Sequence, residues 1–262
     1  MTRGRGHFLD RRRGLVFPPA SAFGASGGAV NQDEHGLGSD VQLLVNFDGT
    51  SGLQDSTDES QNSLPLTWDN NAVLSDLQTF NGSYGTSLLL DGVNDRVWIP
   101  DADGASVLNL GALADWTVEI RVRFSSVAGL RNLLTYGTGT PTVNGSEHTY
   151  LRWSGSFMQW SDARGALNLR LQPATSILAN TWYDIAVTQL AGVGLFMHID
   201  GVYTVTNPIL TAINTPTPFN FLIGINDTLS SDFFGHIQAI RWTLGARYTE
   251  VNYTPLAGKW HV

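Results

Sequence analysis

Glu119, Arg121 and Arg123 occupy alternate positions of one strongly β-like segment. Side chains two apart in a strand point to the same face of a sheet, so these three are predicted to lie in a row. A carboxylate flanked by guanidinium groups forms a cross-strand ion pair more readily than it serves as a nucleophile. We therefore expect Glu119 to be in an ion pair.

Histidine and serine offer no clearer chemistry. Among six histidines, His148, His198 and His236 fall in strand-like runs, without a Gly-x-Ser-x-Gly elbow or a paired base. They are predicted to be packed or surface strand residues. The chain has no cysteine, which excludes disulfides and thiolate metal sites and leaves the redox compartment open.

The segments that would position these residues are short strands joined by tight turns. The chain has 28 glycines, 15% charged and 42% hydrophobic residues, a composition typical of an all-β domain. In residues 116–124, apolar residues alternate with polar ones, which predicts a strand with one face in the core and the other exposed to solvent. Asp200-Gly201 predicts a type I′ hairpin, and a short helical turn is expected near residues 103–108.

Further strands are predicted from short β-rich runs bounded by Gly, Asn, Asp and Pro. They are residues 41–47, 85–90, 96–100, 132–136, 148–153, 157–161, 166–172, 182–190, 194–199, 202–205, 219–225 and 235–243. Residues 51–77 are polar with scattered apolar positions. This pattern predicts a single main domain over residues 40–262 with a β-sandwich signature.

Residues 1–39 differ in composition and are predicted to be an extended anchoring arm. Arg3, Arg5, Arg11, Arg12 and Arg13 give the first thirteen residues a net charge of +4, against −8 for the whole chain. Residues 8–38 are rich in Gly, Ala, Ser and Pro and show no sustained period. The arm could contact nucleic acid, a membrane surface or an acidic protein groove. Docking on a partner subunit is the economical interpretation, so we expect a homo-oligomer or a larger assembly.

Two classes of partner are not expected for the folded part. An acidic domain lacks the cationic face that phosphate binding needs, so the sandwich should bind no nucleic acid. No stretch approaches the roughly 18 to 20 continuous apolar residues of a membrane helix. The arm also lacks the apolar region of an export signal.

Five segments resemble the laminin-G-like, concanavalin A-like jelly-roll family in order and spacing. They are SLLLDG (87–92), WTVEIRVRF (116–124), NTWYDIAVT (180–188), HIDG (198–201) and GHIQAIR (235–241). The segment GARYTEVNYTP (245–255) is similar to the ending of such domains in bacteriophage structural proteins. The resemblance covers roughly residues 41–255. It implies a two-sheet antiparallel β-sandwich, or jelly roll, behind the extended N-terminal arm.

Some members of this family hydrolyse β-glucans with a Glu-x-Asp-x-Glu strand. At the matching strand this chain keeps Glu119 but has Arg121 and Arg123 in place of the second and third acids. Retaining hydrolysis needs two carboxyl groups about 5 to 5.5 Å apart. We therefore expect no enzyme activity, and a glycoside hydrolase is the less favoured alternative.

The resemblance also implies a sugar site and calcium as a candidate cofactor. Calcium prefers six to eight oxygen ligands, which two loops could partly supply, one with Asp91, Asn94 and Asp95 and another with Asn226, Asp227 and Asp232. The simpler interpretation is that these acidic residues are solvated side chains in turns.

A sugar would stack on flat aromatic rings, and the candidates are Trp68, Tyr136, Trp153 and Trp160. Trp153 and Trp160 flank a turn at Gly155, although core or rim packing is the competing explanation.

These features favour a bacteriophage virion structural protein, such as a decoration, fibre or tail module. Its arm would bind other virion proteins, and its lectin-like domain would bind host surface polysaccharide or serve only as a protein interaction module. The alternative is a free extracellular carbohydrate-binding protein.

Overall fold

The computed structural model describes residues 40–82, 84–108, 110, 114–137, 148–163, 167–207, 219–225 and 231–261. The predicted arm with its five arginines lies outside these residues, as do Asn226 and Asp227. What the sequence indicates for them stays a prediction.

The described residues form fifteen β-strands and two short 3₁₀ turns. The strands are β1 Val41–Asn46, β2 Thr67–Asp69, β3 Val73–Ser75, β4 Ser87–Asp91, β5 Arg96–Ile99, β6 Trp116–Phe124, β7 Arg131–Gly137, β8 His148–Trp153, β9 Met158–Ala163, β10 Leu167–Leu171, β11 Trp182–Leu190, β12 Gly194–Ile199, β13 Val202–Asn207, β14 Asn220–Ile223 and β15 Phe234–Leu244. The 3₁₀ turns are Asp101–Asp103 and Ala105–Leu108. In these parts of the chain, no helix is long and apolar enough to cross a membrane.

The strands pair into two antiparallel sheets. The larger sheet has the order β13-β12-β11-β6-β15-β4-β3, with β1 also paired to β15, and the smaller sheet has the order β10-β9-β8-β7-β14-β5-β2. The predicted all-β, two-sheet antiparallel sandwich is therefore confirmed. Asp200 and Gly201, with φ of 52° and 73°, form the predicted hairpin between β12 and β13, because a type I′ turn needs positive φ at both central residues.

The hydrophobic core lies between the two sheets. Val118, Ile120 and Val122 of β6 are fully buried there, as the alternation in this strand predicts. The expectation that the opposite face of β6 is exposed to solvent is wrong. Glu119 and Arg121 are also buried, at 3% and 0% exposure.

The outer face of the larger sheet is covered by residues 245–261, here called the C-terminal segment. Its Tyr248 and Tyr253 stack with ring centroids 3.8 Å apart, next to the ring of His198. Trp260 packs with Val41 of β1. A polar strand face can thus be buried when a later part of the chain supplies both apolar cover and hydrogen-bond partners.

Candidate functional site

A polar groove with a volume of about 490 Å³ opens beside β2, the edge strand of the smaller sheet. It is lined by residues 54–58 and 63–66 and by Trp68. This volume is within the range of roughly 300 to 1,000 Å³ found for small-ligand pockets. Its lining combines one large aromatic ring with carboxylate, amide and hydroxyl groups.

Asp58 fixes the wall of the groove. Its buried carboxylate accepts hydrogen bonds from the backbone N–H groups of Leu44 at 2.9 Å, Ser60 at 2.9 Å and Leu64 at 2.9 Å. The Ser60 hydroxyl donates a fourth bond at 2.8 Å. Several backbone donors on one carboxylate hold an irregular loop in a single shape. Asp58 is therefore a positioning residue, and its oxygens are already engaged.

The other polar groups of the lining include two exposed side chains and one buried hydroxyl. Asp55 and Gln54 are exposed. Asp55 accepts a hydrogen bond from Thr50 N–H at 3.0 Å, and Gln54 Nε2 donates to the carbonyl of Ala72 at 2.8 Å. The Oγ atom of Ser56 is buried without a hydrogen-bond partner among the described residues. A buried hydroxyl of this kind is costly unless it is satisfied by water or a ligand.

Trp68 supplies the aromatic part of the groove. It is half-buried on β2, and its ring meets Phe47 edge to face, with centroids 6.1 Å apart. This contact fixes the orientation of the ring. The structure thus brings one of the four predicted aromatics to a groove.

The structure does not place Tyr136, Trp153 and Trp160 at a surface, so their proposed role as sugar platforms is wrong. Tyr136 and Trp160 are 0% exposed and Trp153 is 3% exposed. The hairpin around Gly155 does form, with Trp160 paired opposite Leu151. Both tryptophans, however, share the inward face with Leu151, and Trp160 packs against Trp116 at 5.4 Å.

The two acidic loops considered for calcium meet at one end of the sandwich. Asp232 Oδ2 accepts a hydrogen bond from Asn94 N–H at 3.0 Å. Asp95 accepts from Asp91 N–H and Asn71 N–H, both at 2.8 Å. In the described residues no group of three or more His, Cys, Asp or Glu could hold a metal ion. These carboxylates shape turns, and a calcium site here stays a prediction that depends on Asn226 and Asp227.

Glu119 forms the expected cross-strand ion pair. Its carboxylate meets Arg241, directly opposite on β15, at 2.7 and 2.9 Å. Tyr248 donates a further bond at 2.8 Å. Burial raises the pKa of Glu119, but Arg241, Arg247 and the bond from Tyr248 outweigh burial and lower this pKa to about 2. Glu119 is a buried, charged structural residue.

The space around Glu119 cannot admit a sugar. Between the larger sheet and the C-terminal segment lies a cavity of about 10 Å³, lined by residues that include Glu119, Asp184 and Trp260. A single water needs about this much space. The face that carries the sequence match to a hydrolase strand is therefore closed.

His236 and Ser87 make a contact that could be mistaken for a catalytic pair. His236 Nδ1 lies 3.0 Å from Ser87 Oγ, but Ser87 donates its own hydrogen to the carbonyl of Gln78 at 2.6 Å. The histidine must then be the donor, so it cannot act as a base toward this hydroxyl. Burial and Arg123 lower the pKa of His236 to about 4. His236 is a packed strand residue, as predicted.

No family model and no curated protein matches the chain. Among solved structures, the chain is similar to domain 4 of AbnA, a GH43 extracellular arabinanase from Geobacillus stearothermophilus, in complex with arabinotriose. The TM-score is 0.60 at 18% identity, covering 79% of this chain and 93% of that chain.

Two toxin domains are also similar. One is the ligand-binding domain of botulinum neurotoxin serotype D in complex with N-acetylneuraminic acid, with a TM-score of 0.58, 11% identity, and coverage of 82% of this chain and 49% of that chain. The other is the binding domain of Paraclostridial Mosquitocidal Protein 1, with a TM-score of 0.58, 15% identity, and coverage of 82% and 51%. The chain thus spans about half of each toxin domain. At such identities the similarity establishes the fold, a β-sandwich shared with binding domains.

Sequence reasoning missed the groove because residues 51–66 have no strand or helix period. One signal was available. From Asp40 to Asp95 the sequence has no Lys, Arg or His, and Trp68 stands in the middle of this acidic stretch.

Proposed function

We propose that the sandwich binds carbohydrate in the groove beside Trp68. The observation that carries this proposal is the position of a half-buried, fixed tryptophan at the border of an open groove with exposed amide and carboxylate groups. A sugar ring offers an apolar C–H face for stacking and a rim of hydroxyls for hydrogen bonding. The groove provides partners for both.

Structural relatives support the same class of ligand. The arabinanase domain was solved in complex with arabinotriose, and the neurotoxin domain in complex with N-acetylneuraminic acid. Since the folds are shared and the sequences differ widely, these complexes support the class of ligand and leave the particular sugar open.

We further propose that the groove binds without hydrolysing. Hydrolysis of a glycosidic bond needs two carboxyl groups that can reach the substrate. Asp58 is held by four hydrogen bonds, which leaves Asp55 as the accessible acid of the lining. A groove with a single accessible carboxylate can bind a sugar but lacks the second carboxyl group that hydrolysis requires.

The proposed setting is a bacteriophage virion, where the arm would anchor the protein and the sandwich would bind a host surface glycan. Two features support it, namely the basic, Gly-rich arm and the similarity of residues 245–255 to phage domain endings. Mass spectrometry of purified particles tests the setting. Recovery of the protein only from medium that has been cleared of particles would instead favour a free extracellular carbohydrate-binding protein.

Comparison of the full chain with a chain starting at Asp40 tests the arm. We expect light scattering to show loss of assembly after truncation, because the five arginines are removed. Unchanged assembly would place the oligomer contacts in the sandwich and overturn the anchoring role.

A glycan array followed by calorimetric titration tests sugar binding. We expect Trp68→Ala to weaken binding roughly two- to tenfold from loss of the ring contact alone, since an aromatic contact is worth about 0.5 to 1.5 kcal/mol beyond the area that it buries. Trp182→Ala is the matched control. Trp182 is also half-buried, but it packs against Phe80 on the larger sheet. Equal binding by both variants would exclude this groove, and no binding by the wild type would remove the proposal.

A further inference from the structure

We propose that the groove selects uncharged saccharides and rejects acidic ones, such as uronates and sialylated sugars. This inference rests on the proposed function and adds the chemical class of the ligand. It starts from the charges of the lining, which includes Asp55 and Asp58 and no Lys, Arg or His.

More acidic residues lie on the same stretch of chain as the lining of the groove. Asp48 precedes the lining residues in the chain, Glu59 lies between the two lining segments 54–58 and 63–66, and Asp69 follows Trp68 directly. The sequence supplies no compensating cation between Asp40 and Asp95. A carboxylate entering the groove would therefore meet the negative charges of Asp55 and Asp58 in its lining, and partial desolvation in the groove would strengthen the repulsion.

The two cations that contact these acidic residues, Lys259 and Arg96, are already engaged in ion pairs with them. Lys259 Nζ lies 2.6 Å from Asp48 Oδ2 and 3.2 Å from Glu59 Oε1. Arg96 Nε lies 2.8 Å from Asp69 Oδ2. Sites for anionic ligands typically present a guanidinium or ammonium donor to the anion. The two cations here serve instead to offset part of the repulsion among neighbouring carboxylates.

Neutral sugars suit the same groups. A sugar hydroxyl can donate to the exposed carboxylate of Asp55, and the exposed amide of Gln54 has a second N–H that can donate to a ring or hydroxyl oxygen. Hydrogen bonds to a carboxylate are stronger than neutral ones. The acidic lining therefore favours a ligand rich in hydroxyl donors and free of negative charge.

The test uses pairs of ligands that differ in charge. Binding of glucose is compared with glucuronate, and binding of lactose with 3′-sialyllactose, by titration at low and high salt. We expect the neutral member of each pair to bind at least about tenfold more tightly at low salt, with the difference shrinking as salt screens the repulsion.

Asp55→Asn identifies the source of the selectivity. Asparagine keeps an oxygen that can accept from Thr50 N–H, so the loop should be retained. We expect this variant to bind the acidic sugars several-fold better and the neutral sugars several-fold worse. Asp76→Asn is the matched control, because Asp76 is exposed and also accepts a hydrogen bond, from Ser51 Oγ at 3.1 Å, but does not line the groove.

The outcomes separate the two proposals. Trp68-dependent binding of acidic sugars that equals or exceeds that of neutral sugars overturns the selectivity and keeps the carbohydrate site. Failure of glycans of both classes to bind overturns the proposed function, and the selectivity falls with it. Neutral preference that Asp55→Asn leaves unchanged also overturns the inference, since the charge would then not be its cause.

Discussion

Arg121 and Asp184 form a bidentate ion pair across the larger sheet. The distances are 2.7 Å from Nε to Oδ1 and 3.0 Å from Nη2 to Oδ2, and the residues are directly opposite on β6 and β11. The Arg121 side chain is fully buried. It also lies 3.8 Å from the ring centroid of Phe80 and donates to the carbonyl of Gly258 at 2.9 Å. One guanidinium therefore links two strands to the C-terminal segment.

Removal of one partner should be costly. We expect Asp184→Ala to lower the free energy of unfolding by about 3 to 5 kcal/mol, because Arg121 would remain buried without its counterion. The measurement is urea unfolding at pH 7. Lys259→Ala is the control, since that partly exposed ion pair should contribute about 1 kcal/mol or less. Equal losses would show that water reaches Arg121.

Glu119 should make the protein acid-sensitive. Its pKa of about 2 lies below the unfolded value of 4.5, so its stabilisation is complete above pH 4.5 and is lost as the pH falls toward 2. The contribution is on the order of 3 kcal/mol. We expect the free energy of unfolding of the wild type to fall over this window more steeply than that of Glu119→Gln. Parallel curves for the two proteins would contradict the ion pair.

His236 should add a second, higher pH window. Its pKa of about 4 lies below the unfolded value of 6.5, so protons bind the unfolded chain first and stability falls as the pH drops from 6.5 to 4. His236→Gln should flatten this part of the curve, whereas His261→Gln, at an exposed position, should not. Denaturant midpoints measured at several pH values provide the comparison. Coincident slopes for the wild type and His236→Gln would mean that His236 is accessible to protons in the fold.

Gly201 should tolerate no side chain. Gly201 and Gly192 share a φ of +73°, but a Cβ at Gly201 would overlap the carbonyl oxygen of Tyr253, whereas a Cβ at Gly192 has open space. Gly192→Ala should cost about 1 to 2 kcal/mol for the left-handed backbone, and Gly201→Ala roughly 1 to 3 kcal/mol more. Chemical unfolding of both variants measures the difference. Equal losses of unfolding free energy for the two variants would show that the backbone at Tyr253 can move away from the added Cβ with little energy.

The strands that the sequence predicts best are those with a strong local pattern. β6, β11 and β12 match their predicted bounds, because alternation or an apolar run ends there at clear turn residues. β2 and β3 were not predicted, since each has only three residues. Such short strands are stabilised by their pairing with β5 and β4, and this pairing depends on tertiary structure that the local sequence pattern does not show.

The candidate site was less accessible to sequence reasoning. Trp153 shares the parity of Leu151 in β8, which could have indicated an inward side chain. Trp68 gave no such signal, because its exposure depends on how residues 54–66 fold around Asp58. The burial of Glu119 and Arg121 was also hidden, since the residues that cover them come more than a hundred positions later in the chain.

The closing contact of the larger sheet has a consequence for biosynthesis. Asn46, at the end of β1, donates to the carbonyl of Trp260 at 3.1 Å, a partner 214 positions away, and β1 itself pairs with β15. During translation the first strand must wait for nearly the whole sandwich to leave the ribosome. Folding should therefore be slow and late, and the apolar side chains of β1 are a natural target for chaperones until β15 and Trp260 arrive.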